Sequence, residues 1–303
     1  MRHLGCGDHR RWRKTTRRRP HAWRSLPGRC KNPADALVGF ELDRYPDFLL
    51  QRAHSHMGII TNAGWIAKRL VSSYVRIFGI PEIGLHLRVR EAVRRCPHDA
   101  QAAVDVGCGA GMLIGQLRRR LRHSRLVGIE PDASSCAVAK ASHPYAKFEN
   151  VDAATAANRL QARFDVAFSL DVLHFLQEDE LPRFFAACYT MLKPGGCLVL
   201  HAPAREQKRH LRRFEKWGDP NYQTQGLDPR HVAALASAVG FNSIKVRPRT
   251  GYWASLAWEL NMLLAGSPVQ AVCFPVLLAV ATAGELLPSS TYNTFICEAR
   301  RPR

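Results

Sequence analysis

The chain has 303 residues, enough for one large α/β domain with additions or for two small domains. Its 44 Lys and Arg against 25 Asp and Glu give a formal charge of +19, which invites a nucleic-acid partner. Eleven of those cations, set against the single acid Asp8, fall within residues 1–31, so the excess belongs more to a tail than to the body. The nine cysteines form no C-x-x-C pair and no histidines cluster at ligand spacing, which excludes the usual metal and disulfide frameworks and fits reduced, buried thiols.

Residues 1–33 hold little apolar periodicity and no capping signal, and read as a basic, disordered tail. They lack the apolar run of a secretion signal; an organelle transit peptide and a basic arm for anionic lipid or nucleic acid both fit their composition. Residues 34–100 read as a helical lid region. Tyr45–Leu50 suggests a helix start, and Ile66, Leu70, Val71, Tyr74 and Ile77 mark an apolar stripe. Leu85–Arg95 then forms a basic amphipathic helix.

Strands and helices alternate from 102 to 247, the pattern of a parallel sheet covered by helices. A helix over Pro229–Val239 stops at Gly240, and a strand follows to Arg247. An insertion, 248–292, separates that strand from a last one near Thr294–Ala299. In it Leu256, Leu260, Leu263 and Leu264 share one helical face, with Glu259 and Asn261 elsewhere. The run Val269–Leu287 is almost wholly apolar, yet it is interrupted by Pro275 and falls short of the roughly 20 residues a spanning helix needs. A lid over the substrate pocket, a peripheral membrane patch across 253–287 and a dimer interface all fit this composition.

The residues richest in chemistry are Asp105-Val106-Gly107-Cys108-Gly109-Ala110-Gly111, a buried strand running into a glycine turn that opens a helix. Such a turn lets a ligand lie directly against backbone N–H groups and the positive helix end. The dinucleotide fingerprint G-x-G-x-x-G does not fit, because the third glycine comes one residue early and Met112 fills its place. Further segments follow: Leu126–Glu130, Asn150-Val151-Asp152-Ala153, Phe164–His174 and Lys193-Pro194-Gly195-Gly196. In order and spacing this set resembles the class I S-adenosylmethionine-dependent methyltransferases of the small-molecule type, over residues 100–247 and again at 293–300.

The resemblance implies a doubly wound, mostly parallel seven-stranded α/β sheet, a Rossmann-like methyltransferase fold with added N-terminal helices and a helical insertion before the last strand. The methyltransferase domain would occupy 101–303. S-adenosylmethionine would be the cofactor, with no metal. Asp105 would face the methionine ammonium, and the backbone at Gly107, Gly109 and Gly111 would line the ligand. Glu130 would take the ribose hydroxyls, and Asp152 with Ala153 the adenine; an ordinary helix N-cap is the other role open to Asp152. Asp171 would lie at the methionine end, and His174 would act as general base or pack against Phe175. His201, Tyr222, His231 and Trp253 are weaker pocket candidates. Asp-Pro-Pro-Tyr and Asn-Pro-Pro-Tyr sequences are absent, which weighs against methylation of nucleic-acid amines. The expected activity is transfer to oxygen or carbon of a small, apolar or lipid-like acceptor, in the cytoplasm or peripheral to a membrane. RNA or protein methylation and a non-catalytic S-adenosylmethionine-binding module are the alternatives.

Overall fold

The computed structural model describes residues 82–214, 226–265 and 267–303. The basic tail, the stripe from Ile66 to Ile77 and Tyr222 lie outside the described residues. Helix α1 (Ile83–Arg95) starts where the Glu82 carboxylate accepts from the N–H groups of Gly84, at 2.8 Å, and Leu85. The same carboxylate accepts from Trp258 Nε1 at 3.0 Å, so the cap is also a tie to the insertion.

After α1 come β1 (Ala102–Val106), α2 (Met112–Arg120), β2 (Arg125–Ile129), α3 (Ala133–Ser142), β3 (Lys147–Glu149), α4 (Ala153–Arg159) and β4 (Phe164–Leu170). A 3-10 turn (Leu173–Phe175) leads to α5 (Leu181–Met191) and β5 (Leu192–Pro203). A second such turn (Arg212–Phe214) precedes α6 (Pro229–Val239) and β6 (Asn242–Arg249). The insertion forms α7 (Tyr252–Leu263) and α8 (Pro268–Gly284), and β7 (Thr294–Arg300) follows. The strands form one sheet in the order β3-β2-β1-β4-β5-β7-β6, with β7 antiparallel to both neighbours and the pairings from β3 to β5 parallel. This is the doubly wound, mostly parallel architecture expected.

Both faces of the sheet are covered, which explains the near-continuous apolar strands. One face packs on α4, α5 and α6 through Val104, Ala167, Leu198 and Leu200; the other packs on α1, α2 and α3 through Ala103, Val166, Phe168 and Val199. The period of two along β5 therefore turns His201 toward α1, on the same side as Cys197 and Val199. Strand order reverses between β1 and β4, whose carboxyl ends flank the crevice where open α/β sheets take ligands.

The insertion packs on α1 through a small core of its own, Ile83 with Ala254, Ala257, Phe274 and Ala281. Here the buried face of α7 differs from the one its leucines suggest. Glu259 and Asn261 are fully buried, whereas Leu260 is 37% exposed. The reason is polar: the Glu259 carboxylate accepts from the backbone N–H groups of His210 at 3.0 Å and Leu211 at 2.7 Å, satisfying a loop that would otherwise bury bare donors. On α8, Val269, Val272, Val276 and Val280 remain exposed. No helix among the described residues is long and apolar enough to cross a membrane.

Candidate active site

The glycine turn is held from below by β2. Gly107 and Cys108 both donate to the Ile129 carbonyl, at 2.8 and 3.0 Å. Gly107, Gly109 and Gly111 all have left-handed φ, +77°, +51° and +82°. They are not equivalent. A Cβ at Gly107 would strike Val172, and one at Gly111 would strike His143 and Phe148; among the described residues no such neighbour is found at Gly109. Two glycines thus serve the packing of the chain, whereas Gly109 meets no such neighbour among the described residues. Gly111 is also the N-cap of α2 and offers no side-chain acceptor to the first turn.

Two buried acids stand beneath this turn. Glu130 accepts from Gly109 N–H at 2.8 Å and from Asp132 N–H at 2.9 Å, so it props the turn as well as facing it. Asp105 is 3% exposed, and its carboxyl is pushed up to about 8, first by burial and then by the charge of Glu130. Asn150 bridges the Glu130 and Pro131 carbonyls, each at 2.8 Å, and so fixes the end of β3 against that of β2. Asp152 caps α4 by accepting from Thr155 N–H at 2.7 Å, and Ala153 is the first residue of that helix.

The other half of the site lies past β4. Asp171 adopts a left-handed φ of 54°, a strained position for a residue with a Cβ. Its carboxylate takes Arg88 Nε at 2.9 Å on one oxygen and His201 Nδ1 at 2.6 Å on the other. Burial would raise this carboxyl, but Arg88, His201 and His174 outweigh that and hold it well below the usual carboxylate range. An ionised Asp171 can only accept, so His201 carries its proton on Nδ1, and a neutral His201 has its lone pair on Nε2. His174 is buried in the 3-10 turn with its ring 4.4 Å from that of Phe175.

Arg88 was not among the residues singled out, and His201 ranked below His174. The signal for both was present but divided: a basic amphipathic helix for one, strand alternation for the other. Of the remaining candidates, His231 pairs with Glu178 at 2.6 Å on the surface, and Trp253 is 48% exposed. Among the described residues no group of His, Cys, Asp or Glu could hold a metal ion.

His201 also lines a cavity of about 170 Å³ between α1, β5, the end of β6 and α8. Its walls carry Arg88, Arg90, Glu91, Arg94, Arg249 and Glu285. The Asp171 carboxylate sits at the junction of the glycine turn and this cavity, because Val172 packs against Gly107 while Asp171 holds His201.

Residues 103–196 match the family model described as a methyltransferase domain. This stretch is similar to a methyltransferase domain. Over alignments covering 45% and 41% of this chain, it is 28% identical to a trans-aconitate 2-methyltransferase of Deinococcus radiodurans and 29% identical to a ubiquinone biosynthesis O-methyltransferase of Pseudomonas putida. Those alignments span 57% and 54% of the relatives, so the chain matches about half their length. The fold is shared with a phosphoethanolamine N-methyltransferase of Haemonchus contortus solved with S-adenosyl-L-methionine, at a TM-score of 0.55 and 17% identity over 76% of this chain and 56% of that one.

The cofactor of such a methyltransferase domain is S-adenosylmethionine, and the residues present fit it. No described side chain crowds Gly109, and the buried Asp105 carboxyl is destabilised as an anion until a cation comes beside it. The α-ammonium of the methionine moiety is such a cation.

Proposed function

We propose that the chain transfers a methyl group from S-adenosylmethionine to an oxygen or carbon of a small acceptor. The Asp171–His201 pair, whose histidine lines the cavity, carries this reading. Asp105, the turn around Gly109 and Glu130 would hold the cofactor, with Asp152 and Ala153 at the head of α4 near its adenine and the Asp171 backbone at its methionine end. The bound cofactor supplies an electrophilic methyl on a sulfonium sulfur. The chain supplies alignment and proton handling. Asp171 holds the His201 Nδ1–H, and Nε2 takes the proton from an acceptor hydroxyl or acidic carbon. Arg88 keeps Asp171 ionised and therefore keeps that tautomer. His174, which packs beside Phe175, shapes the wall in this reading and is not the base.

The acceptor is small with a lipid-like part, and the protein works against a membrane surface. Among the described residues, nine of the eleven exposed large apolar side chains, from Tyr252 to Leu287, lie on the insertion. Leu286, 82% exposed, belongs both to that patch and to the cavity wall, so the patch runs into the mouth.

The test is transfer of labelled methyl from S-adenosylmethionine to a total lipid and small-molecule extract. His201→Asn is expected to lower transfer by roughly 100-fold or more while cofactor affinity stays within about twofold. Label in no extracted compound, or full activity in His201→Asn, would overturn the reading.

A further inference from the structure

The cavity wall is not apolar, and its charges are unevenly satisfied. Arg249, on the cavity wall, is paired with Glu91 and lies 4.0 Å from Glu285, and Arg88 is paired with Asp171 and Glu82. Those cations are answered by the chain itself. Arg90 and Arg94 are different. They stand one helical turn apart on α1, both exposed at the rim. Arg90 donates to the Thr282 hydroxyl at 3.2 Å, and no carboxylate among the described residues pairs with Arg94.

We infer that this rim is an anion-binding subsite and that the acceptor carries a phosphate or carboxylate group held by Arg90 and Arg94. Arginine suits both groups, because its planar fork can donate two parallel hydrogen bonds to one oxyanion. The distance is set by the helix. From Arg88, beside the base, to Arg94 is about 9 Å along α1 at 1.5 Å per residue. The acceptor would thus hold its reacting oxygen or carbon and its anion about 6–9 Å apart. The volume agrees: about 170 Å³ is below the ~300–1,000 Å³ of pockets that enclose drug-sized ligands. A compact anionic head would fill it, leaving any apolar tail to run out past Leu286.

This inference rests on the proposed methyl transfer for which end of the acceptor reacts, but its test requires no turnover. The full chain is titrated calorimetrically, at low salt, with octyl phosphate, inorganic phosphate and octanol. Octyl phosphate is expected to bind and octanol not to compete with it. Raising the salt to about 0.5 M should weaken the binding, because rim charges are screened. The double variant Arg90→Gln/Arg94→Gln should lose roughly tenfold or more in octyl phosphate affinity with an unchanged melting temperature, whereas Arg90→Lys/Arg94→Lys should recover most of it. Phosphate binding as tightly as octyl phosphate would point to a free anionic acceptor, and tighter octyl phosphate to an amphiphile; both support the subsite. Octanol binding as tightly as octyl phosphate, or a Gln variant within about twofold of wild type, would overturn it. Cofactor titration of the same samples separates the two readings. Failure to bind S-adenosylmethionine would remove the methyl-transfer proposal and leave the anion subsite to its own titration.

Discussion

Replacing Asp105 by Asn isolates the electrostatic cost built into the cofactor site. The carboxyl lies in a fully buried strand beside Glu130 and is pushed up to about 8, whereas an unfolded aspartate titrates near 3.9. Between those values the folded protein holds a proton that the unfolded chain has released. For an acid raised in this way, stability is greatest below about pH 4 and falls as pH rises toward 8, by about 1.4 kcal/mol per pH unit. Asparagine has no proton to lose. From about pH 5.5 to about pH 7.5 the unliganded wild type should therefore lose about 3 kcal/mol relative to Asp105→Asn, measured by urea unfolding at each pH. A second consequence concerns binding. A cationic ligand beside the carboxyl lowers its pKa, so cofactor binding at about pH 7 should release close to one proton per site, read by calorimetry in buffers of different ionisation enthalpy. The Asn variant should bind more weakly and release none. Parallel pH–stability profiles for the two proteins would refute the reasoning.

Glu130→Ala should weaken S-adenosylmethionine binding by roughly 1.5–3 kcal/mol and also lower the melting temperature, because it strands the Gly109 and Asp132 N–H groups. An unchanged melt would mean that the turn does not depend on this prop. Gly109→Val should abolish cofactor binding by calorimetry, since a β-branched side chain would stand over the turn in a left-handed conformation that valine resists. Glu259→Ala should cost about 2–4 kcal/mol by leaving the His210 and Leu211 donors without their acceptor, whereas Leu260→Asp should leave the melting temperature within about 2 °C. The reverse order would restore the leucine face as the buried one.

How far the sequence could be read follows from the range of the forces involved. The glycine turn was legible because its cause is local: three left-handed residues between a buried strand and a helix. The central strands β1 and β4 were legible because burial on both faces leaves a nearly unbroken apolar run in each. The α7 orientation was not. Hydrophobic periodicity ranks Leu260 above Glu259, but the loop at His210 and Leu211 needed an acceptor, and no window of sequence around α7 contains that demand. Asp152 shows an intermediate case, since its cap on Thr155 is local and was foreseen as one of its two roles. The Arg88–Asp171–His201 cluster joins a helix, a strand end and a neighbouring strand far apart in the chain. Each member could be placed on its element, but the meeting of all three depends on how α1 docks against the sheet.

The strand order has a consequence for how the molecule is made. β7 lies between β5 and β6, yet it follows β5 by about ninety residues and comes after the whole insertion. During folding, β5 must keep an unsatisfied edge of N–H and C=O groups until that late strand arrives, and β6 has no partner at all before then. In the finished fold the insertion's core on α1 holds the chain between β6 and β7 close to the sheet. The segment that bounds the cavity thus also ties the β6–β7 connection to the sheet. Changes made there to alter acceptor choice should show first as slower refolding or aggregation, before any loss of equilibrium stability.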